Sequence, residues 1–298
     1  MKTLQTLNMR KYPEGAFDLF FAAKFEQMNG HTSKAIQLFE QSISVQNEFI
    51  QLQHVAKWDL IWCYAMDQNW RRAAELATEL RDNSKWSPAT NAYQYACFLY
   101  MIMDSEGLEG EMRSQVDKAM ASVEPLRTRY GGKTLPPEKF AITMAQRYCN
   151  GDKQLTLPAL MLFYIWNVYG NCAENPKLME PLIELIDRKL ATMPSGDAEF
   201  VLLLLKGVCM RNARKTEESF ECFTNILRRQ DMIETDTYVA PHAAMELGLT
   251  FLDMGNLDEA KTWLEKARDD YTGFLVETSV HLRIHGALQK LNRLKANK

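Results

Sequence analysis

Apolar residues recur at a spacing of three and four positions along almost all of this 298-residue chain. The alternation of apolar and polar residues that indicates strands is rare. Glycine (14) and proline (10) are too scarce for an all-β sandwich or barrel, because those folds need many turns. The pattern therefore predicts an all-α protein. The predicted helices cover 16–28, 32–47, 51–67, 69–83, 87–103, 111–130, 137–148, 156–170, 176–193, 197–212, 215–229, 240–254, 256–271 and 273–293.

Capping residues and prolines mark several helix boundaries. Ser87 stands directly before Pro88, so we predict that its side chain caps a helix that has proline in its first turn. Asn256 begins a capping box, in which a side chain three residues later completes the cap. Pro125 and Pro181 fall inside predicted helices, and we expect a kink or break at each.

Short connections between the helices favour antiparallel neighbours. The fold class that we predict is an α-solenoid of antiparallel helix pairs, about seven of them. No low-complexity linker divides the chain. We therefore predict one repeat domain over 12–293, preceded by a polar segment at 1–11 and followed by a basic tail at 294–298.

An internal repeat is clearest from Pro241 onward. Gly248 stands where two helices cross closely, and Phe251 fills the gap between them. Gly255 marks the turn, and Ala260 is the small residue of the second helix. This order of residues is that of the tetratricopeptide repeat, whose period is 34 residues. Weaker copies in the same register begin at Ala16, His54 and Phe200, the last with Gly207 at its crossing.

A set of further segments, spread in order along the chain, carries a more specific resemblance. They are Tyr12-Pro13-Glu14-Gly15-Ala16-Phe17, Trp58 with Trp62-Cys63, Trp86-Ser87, Leu135-Pro136-Pro137-Glu138-Lys139-Phe140-Ala141-Ile142, Tyr164-Ile165-Trp166-Asn167 and Leu204-Leu205-Lys206-Gly207. With these segments the chain resembles the C-terminal half of the tetratricopeptide repeat protein 39 family, which also includes a fungal inclusion-body clearance protein. Typical members are roughly twice as long, so we expect that this chain lacks their N-terminal half.

The resemblance implies a non-enzymatic interaction protein. Members of the family are associated with clearance of protein inclusions linked to lipid droplets, and with lipid homeostasis through protein turnover. The cytosol, the nucleus and the surfaces of mitochondria or lipid droplets are the places that the resemblance implies. It carries over no catalytic residue.

Charge and composition narrow the possible partners and the compartment. The net charge of −3 implies no attraction to nucleic acid. Six cysteines, none in a C-x-x-C pair, indicate buried thiols in a reducing compartment. The N-terminus has no signal core, and the longest apolar runs are shorter than a membrane span. We predict a cytoplasmic protein.

Two motifs partly match known sites, one for phosphate and one for a metal ion, but each departs from the pattern that the site requires. Gly131-Gly132-Lys133-Thr134 ends like a phosphate-binding loop, but Arg127 stands where that loop needs its first glycine. His281 and His285 share a helix face with Glu277, as metal ligands do, without the His-Glu-x-x-His order of zinc peptidases. We predict no enzyme activity, no cofactor and no metal ion.

The inner face of a repeat superhelix is the natural site for a partner. By the repeat register we predict partner contacts at Trp62, Met66, Arg211 and Met245. The lining is mostly apolar, so either the superhelix buries it or it receives an apolar helix from a partner. The aromatic residues between 58 and 95 leave the same two alternatives open, a repeat core or a ligand groove.

These features predict a non-catalytic scaffold or adaptor that binds a protein not identified by the sequence. The alternative is a peripheral lipid-surface or apolar-ligand binding protein, because the last helix is amphipathic and rich in lysine and arginine. That basic face is equally explained as a solvated capping helix.

Overall fold

A computed structural model of the chain describes residues 15–129, 131–171, 174–193 and 195–296. The α-helices are α1 (Ala16–Met28), α2 (Thr32–Ser44), α3 (Ile50–Met66), α4 (Trp70–Asn83), α5 (Pro88–Glu106), α6 (Glu111–Val123), α7 (Pro136–Asn150), α8 (Pro158–Ile165), α9 (Val168–Asn171), α10 (Glu180–Leu190), α11 (Asp197–Asn212), α12 (Thr216–Arg228), α13 (Val239–Asp253), α14 (Leu257–Asp269) and α15 (Glu277–Ala296). Short 3-10 helices cover Glu124–Leu126, Pro176–Met179 and Gln230–Met232. The predicted all-α, tetratricopeptide-like class is confirmed.

The chain divides into two compact units between Leu178 and Met179. Helices α1 to α9 belong to unit 1, and α10 to α15 belong to unit 2. The prediction that 12–293 forms a single domain stays a prediction. The predicted polar segment 1–11, the first three residues of the Tyr12 motif, Cys172 and the last two residues of the basic tail lie outside the described residues.

Unit 2 has the regular arrangement that the repeat pattern predicts. Each helix packs on the next, and α13 also contacts α11 and α15, the first helices of the neighbouring pairs. A Cβ atom at Gly207 would lie 2.5 Å from Cε1 of Phe223, and one at Gly248 would lie 2.8 Å from Cγ of Leu264. Glycine at these two positions therefore lets the helices of each pair cross closely, as predicted.

Unit 1 begins with two similar pairs, α1 with α2 and α3 with α4. Their small crossing residues are fully buried, namely Ala23, Ala35, Ala73 and Ala77. The turn at Gly30 has φ +70°, and Asn175 donates its amide to the Gly30 carbonyl at 3.0 Å. This long-range bond joins the first turn of the unit to its last described segment.

The rest of unit 1 departs from a plain stack of pairs. Helix α5 is buried on almost all sides from Ala89 to Met103 and packs against α4, α6, α7 and α8. Its mostly apolar surface is suited to being surrounded by other helices. The short apolar helix α8 therefore returns to α5 and closes the core around it.

Proline and loop geometry explain where helices end earlier than predicted. Helix α6 stops at Val123, and Pro125 lies in the 3-10 turn that follows, so the break expected there is confirmed. The helix predicted over 156–170 is wrong, because it ends at Ile165 and resumes at Val168. Asn167 between them has φ +54°, which no α-helix contains.

The two predicted caps have different outcomes. Asn256 accepts a hydrogen bond from the backbone N–H of Glu259 at 3.4 Å, so the cap by its side chain is confirmed. The return bond of the predicted capping box is wrong, because the backbone N–H of Asn256 donates to the Phe251 carbonyl. The cap predicted at Ser87 is wrong. Its backbone is left-handed (φ +43°), and its hydroxyl contacts Thr90 and the carboxylate of Glu138 instead.

Candidate functional site

The structure places the four predicted contact residues in two different units. Trp62 and Met66 lie on α3 of unit 1 and are 3% and 4% exposed. Met245 lies on α13 of unit 2 and is fully buried. Arg211 on α11 keeps part of its side chain in solvent. The first three side chains pack inside the protein, and their contact with a partner stays a prediction.

Arg211 belongs to a buried ionic network in unit 2. Its guanidinium contacts the Glu246 carboxylate at 2.9 Å and that of Asp253 at 3.1 Å. Arg283 contacts the other oxygen of Glu246 at 2.5 Å. Glu246 is fully buried, so two arginines from α11 and α15 meet on one enclosed carboxylate of α13. We call Arg211, Glu246, Asp253 and Arg283 the arginine–glutamate network.

His242 lies one helical turn before Glu246 and is almost fully buried. Its ring makes edge contacts with Tyr238 and Phe274. Burial, and after it the charge of Arg283, lowers the pKa of His242 to about 3. The imidazole is therefore neutral at physiological pH and acts as a core residue.

The first helices of unit 1 are joined differently. Lys24 of α1 pairs with Asp59 of α3 at 2.8 Å, and Gln27 donates to the Asp59 carbonyl. Burial raises the pKa of Asp59, although Lys24 acts in the opposite direction. These polar contacts hold α1 against α3 and leave the remaining face of α3 to aromatic side chains.

Three partly exposed tryptophans meet on that face of α3. The ring of Trp58 lies 5.2 Å from Trp86 and 5.0 Å from Trp166, in edge-to-face contact with both. Trp62 lies behind Trp58 at 5.4 Å and contacts Phe163 of α8. Edge-to-face packing is the favoured geometry for such rings. The cluster is therefore held from inside, while Trp86 leaves 49% of its surface in solvent.

Trp58 and Trp86 line a groove of about 790 Å³, which we call the tryptophan groove. One wall is α3 from Ile50 to Trp58, and the other is the end of α4 with the loop that follows, 80–86. Asn91 of α5 also lines it. Val55 on the α3 wall is 50% exposed. A mostly apolar groove with a few polar groups is the usual form of a binding site.

The loop that carries Trp86 is fixed from below. Glu138 of α7 is fully buried and accepts hydrogen bonds from the Ser87 hydroxyl and from the backbone N–H of Thr128. Asn91 donates to the Trp86 carbonyl at 2.9 Å. These bonds stabilise the left-handed backbone at Ser87, which would otherwise be strained. Trp86 is therefore presented by a rigid loop.

The sequence held a partial signal for this groove. The aromatic residues between 58 and 95 were predicted to form either a core or a groove, and both occur, since Trp62 is buried and Trp86 is exposed. Trp58, Trp86 and Trp166 stand in three of the segments that carry the family resemblance. Nothing in their spacing indicated that they meet, because Trp166 lies 108 residues after Trp58.

A second exposed apolar surface follows α1. Phe17, Phe21, Phe25 and Met28 recur at helical spacing and are between 39% and 63% exposed. Within the described residues, α1 thus has an apolar face that remains in solvent.

The histidines, the glycine pair and the cysteines singled out in the sequence make ordinary contacts. His281 lies 4.0 Å from Glu277, while His285 contacts Gln289. In the described ranges no group of three or more His, Cys, Asp or Glu side chains is arranged to hold a metal ion. Gly131 and Gly132 form a turn with positive φ. The cysteines in the described part of the chain form no disulfide with one another. Cys63, Cys97, Cys209 and Cys222 are buried, as predicted, whereas Cys149 is exposed.

No helix within the described residues combines the length and the apolar character needed to cross a bilayer. The basic face of α15 is partly occupied by ion pairs. Arg283 contacts Glu246, and Lys295 contacts Asp258 at 2.6 Å. Leu282 on the same helix is 72% exposed.

The antiparallel pairs, the close crossings and the contacts between successive first helices define a tetratricopeptide-like helical-repeat protein. The chain belongs to the Iml2/Tetratricopeptide repeat protein 39 family, whose family model matches residues 2–213. It is similar to Tetratricopeptide repeat protein ttc-39B of Caenorhabditis elegans, with 30% identity over 280 residues. That match covers 93% of this chain and 48% of the worm protein, so the chain spans about half the length of the relative. The resemblance found in the sequence is confirmed.

Proposed function

We propose that this chain is a non-catalytic scaffold that binds another protein through the tryptophan groove. The observation that carries the proposal is the cluster of Trp58, Trp86 and Trp166, which is ordered from inside and left partly in solvent. Tryptophan is the residue type most enriched among the energetic centres of protein interfaces. Helical repeats of this class bind proteins by presenting such surfaces.

The family gives the proposal a direction. By resemblance, we place the scaffold in the cytoplasm, in processes of inclusion-body clearance or lipid homeostasis. The nucleus and the surfaces of mitochondria or lipid droplets are further places where the partner is to be sought.

The test is proximity labelling in cells with three forms of the chain: unchanged, Val55→Glu and Val45→Glu. Both valines are 50% exposed and both lie in unit 1, but only Val55 lines the groove. We expect one or more proteins to be labelled by the unchanged chain and by Val45→Glu, and lost with Val55→Glu. Equal labelling by all three forms would contradict the groove as the site. Labelling of no protein above background would contradict the scaffold function itself.

A second candidate function is peripheral binding to a lipid surface, and the exposed Leu282 on the basic helix α15 favours it. The ion pairs of Arg283 and Lys295 reduce the charge available for that contact. Flotation with vesicles that contain anionic lipid tests it. We expect a lipid-binding chain to float without any protein partner, and Leu282→Glu to abolish flotation.

A further inference from the structure

The tryptophan groove has walls of defined shape and a specific distribution of polar groups. Its α3 wall, from Ile50 to Trp58, is about 12 Å long at the usual rise of a helix. Trp58 cannot turn away from the groove freely, because Trp62 and Trp166 pack against its ring. The groove therefore offers a preformed apolar surface, which lowers the ordering cost of binding.

The exposure of the walls argues for the size of the occupant. Ile50, Val55 and Trp86 are each about half exposed, so the groove is open along its rim. Sites for small molecules usually enclose 70–90% of the ligand surface. A small apolar molecule here would keep much of its own surface in water. A segment of a larger protein covers the rim with its flanking residues, and this favours a peptide segment.

The charge of the groove indicates which charge its occupant carries. No acidic residue lines it, and its titratable lining residues are Lys85 and His54. Lys85 forms no ion pair within the described part of the chain. The nearby Lys57 and Arg81 are already paired, with Glu79 and Asp82. Burial, and after it the charge of Lys57, lowers the pKa of His54, which favours the neutral imidazole and leaves Lys85 as the charged residue of the lining. An acidic group on the occupant therefore complements the groove.

Asn91 holds the second wall of the groove from inside. Its amide donates to two carbonyl oxygens, those of Trp86 and Leu80. The wall that an occupant meets is therefore in place before binding, which lowers the ordering cost of binding.

We propose that the tryptophan groove binds a short peptide segment of a partner protein, with a bulky apolar side chain packed against Trp58 and Trp86 and a neighbouring carboxylate paired with Lys85. This inference rests on the proposed scaffold function and names the chemistry of its partner.

The test uses a library of random twelve-residue peptides displayed on phage, selected on the complete chain. We expect the selected peptides to share a Trp, Phe or Leu residue with Asp or Glu beside it. Synthetic versions of these peptides should bind Val45→Glu as they bind the unchanged chain, and bind Val55→Glu at least about tenfold more weakly. Circular dichroism of each variant confirms that it is folded.

Charge reversal then tests the role of Lys85. We expect Lys85→Glu to weaken binding of the acidic peptides about two- to fivefold, as for an ion pair at a rim. Replacing the acidic residue of the peptide by lysine should restore binding to Lys85→Glu and weaken it to the unchanged chain. If the lysine-containing peptide bound neither Lys85→Glu nor the unchanged chain, the proposed ion pair with Lys85 would be contradicted.

Other outcomes overturn the inference. These are peptides without an acidic residue, peptides that bind Val55→Glu unchanged, binding of the apolar dye anilinonaphthalene sulfonate without any selected peptide, and self-association abolished by Val55→Glu.

The proximity labelling keeps the two proposals separate. A protein labelled equally by the unchanged chain and Val55→Glu would leave the scaffold function standing while the peptide groove failed.

Discussion

The two units join their first helices by different chemistry. In unit 2 the arginine–glutamate network connects α11, α13 and α15 through one enclosed carboxylate. In unit 1 an ion pair between Lys24 and Asp59 and a hydrogen bond from Gln27 join α1 to α3, and another face of α3 contacts aromatic rings. The buried carboxylate of Glu246 is held by two arginines, whereas the partly exposed aromatic cluster still has surface to offer. The network therefore serves to join helices, and the groove is the surface that we propose for recognition.

The regularity of the two units differs in the same sense. Unit 2 follows the repeat register closely, with Gly207 and Gly248 at its crossings. Unit 1 follows it only as far as α4, after which α5 is surrounded by α6, α7 and α8. This departure brings Trp166 back to α3, where it packs on the Trp58 ring. The irregular part of the repeat array therefore supports the candidate site.

The largest effect that we expect comes from Glu246→Gln in unit 2. The change leaves Arg211 and Arg283 facing each other without the buried carboxylate. Breaking a buried ion pair in this way costs about 3–5 kcal/mol. Urea unfolding followed by circular dichroism measures it. The control is Asp253→Asn, which removes a half-exposed partner of the same arginine and should cost less than about 1 kcal/mol. Equal losses would show that the network is not a buried one.

A pH effect of intermediate size is expected from His242. Its pKa in the folded chain, about 3, lies below the value of about 6.5 in an unfolded chain, so only the unfolded state takes up the proton as the pH falls below 6.5. Between pH 7 and pH 5 this uptake lowers the free energy of unfolding by about 2 kcal/mol. His242→Gln should lose about 2 kcal/mol less over that range. The same pH slope in both forms would contradict the neutral, buried state of the imidazole.

A smaller effect, of opposite sign at two sites, is expected from replacing glycine by alanine in helices of unit 2. At Gly207 the new Cβ would strike Phe223, and the strain should exceed the gain in helix propensity by about 1 kcal/mol. A Cβ atom at Gly286 of α15 would have no atom outside the local helix backbone within 4 Å. Gly286→Ala should therefore raise the free energy of unfolding by up to about 1 kcal/mol. Thermal melting of both variants measures the difference. Stabilisation by Gly207→Ala would contradict a close crossing of the two helices at this position.

The smallest effect on stability is expected in the groove. Val55→Glu and Val45→Glu change equally exposed side chains, and both should alter the free energy of unfolding by less than about 0.5 kcal/mol. Urea unfolding checks this before any binding experiment. A loss of several kcal/mol with Val55→Glu would indicate that the α3 wall is a structural surface, which would reverse the comparison between the units.

Much of the fold was predictable because its determinants are local. The helix 197–212 was predicted with its observed bounds, and Asn256 caps α14 as its sequence context indicates. Ser87 shows the limit of such reasoning. It is a favoured capping residue and stands before a proline. Its hydroxyl nevertheless donates to the carboxylate of Glu138, 51 residues away, so the side chain does not cap the helix.

The predicted contact residues show the same limit at the site. The repeat register placed Trp62, Met66 and Met245 on helices, but it contained no information about what packs over them. Val55, which shares a helix with Trp62, is half exposed and lines the groove. Exposure depends on the neighbours of a helix, and in unit 1 those neighbours come from the irregular segment after α5.

By itself the sequence determined the all-α class, most helix bounds, the close crossings at glycine and the family, because periodicity, caps and small residues act over a few positions. Only the tertiary structure decided that Trp58, Trp86 and Trp166 would meet and that Glu246 would hold two arginines. Those contacts join residues tens of positions apart, and their formation depends on how whole helices pack against one another.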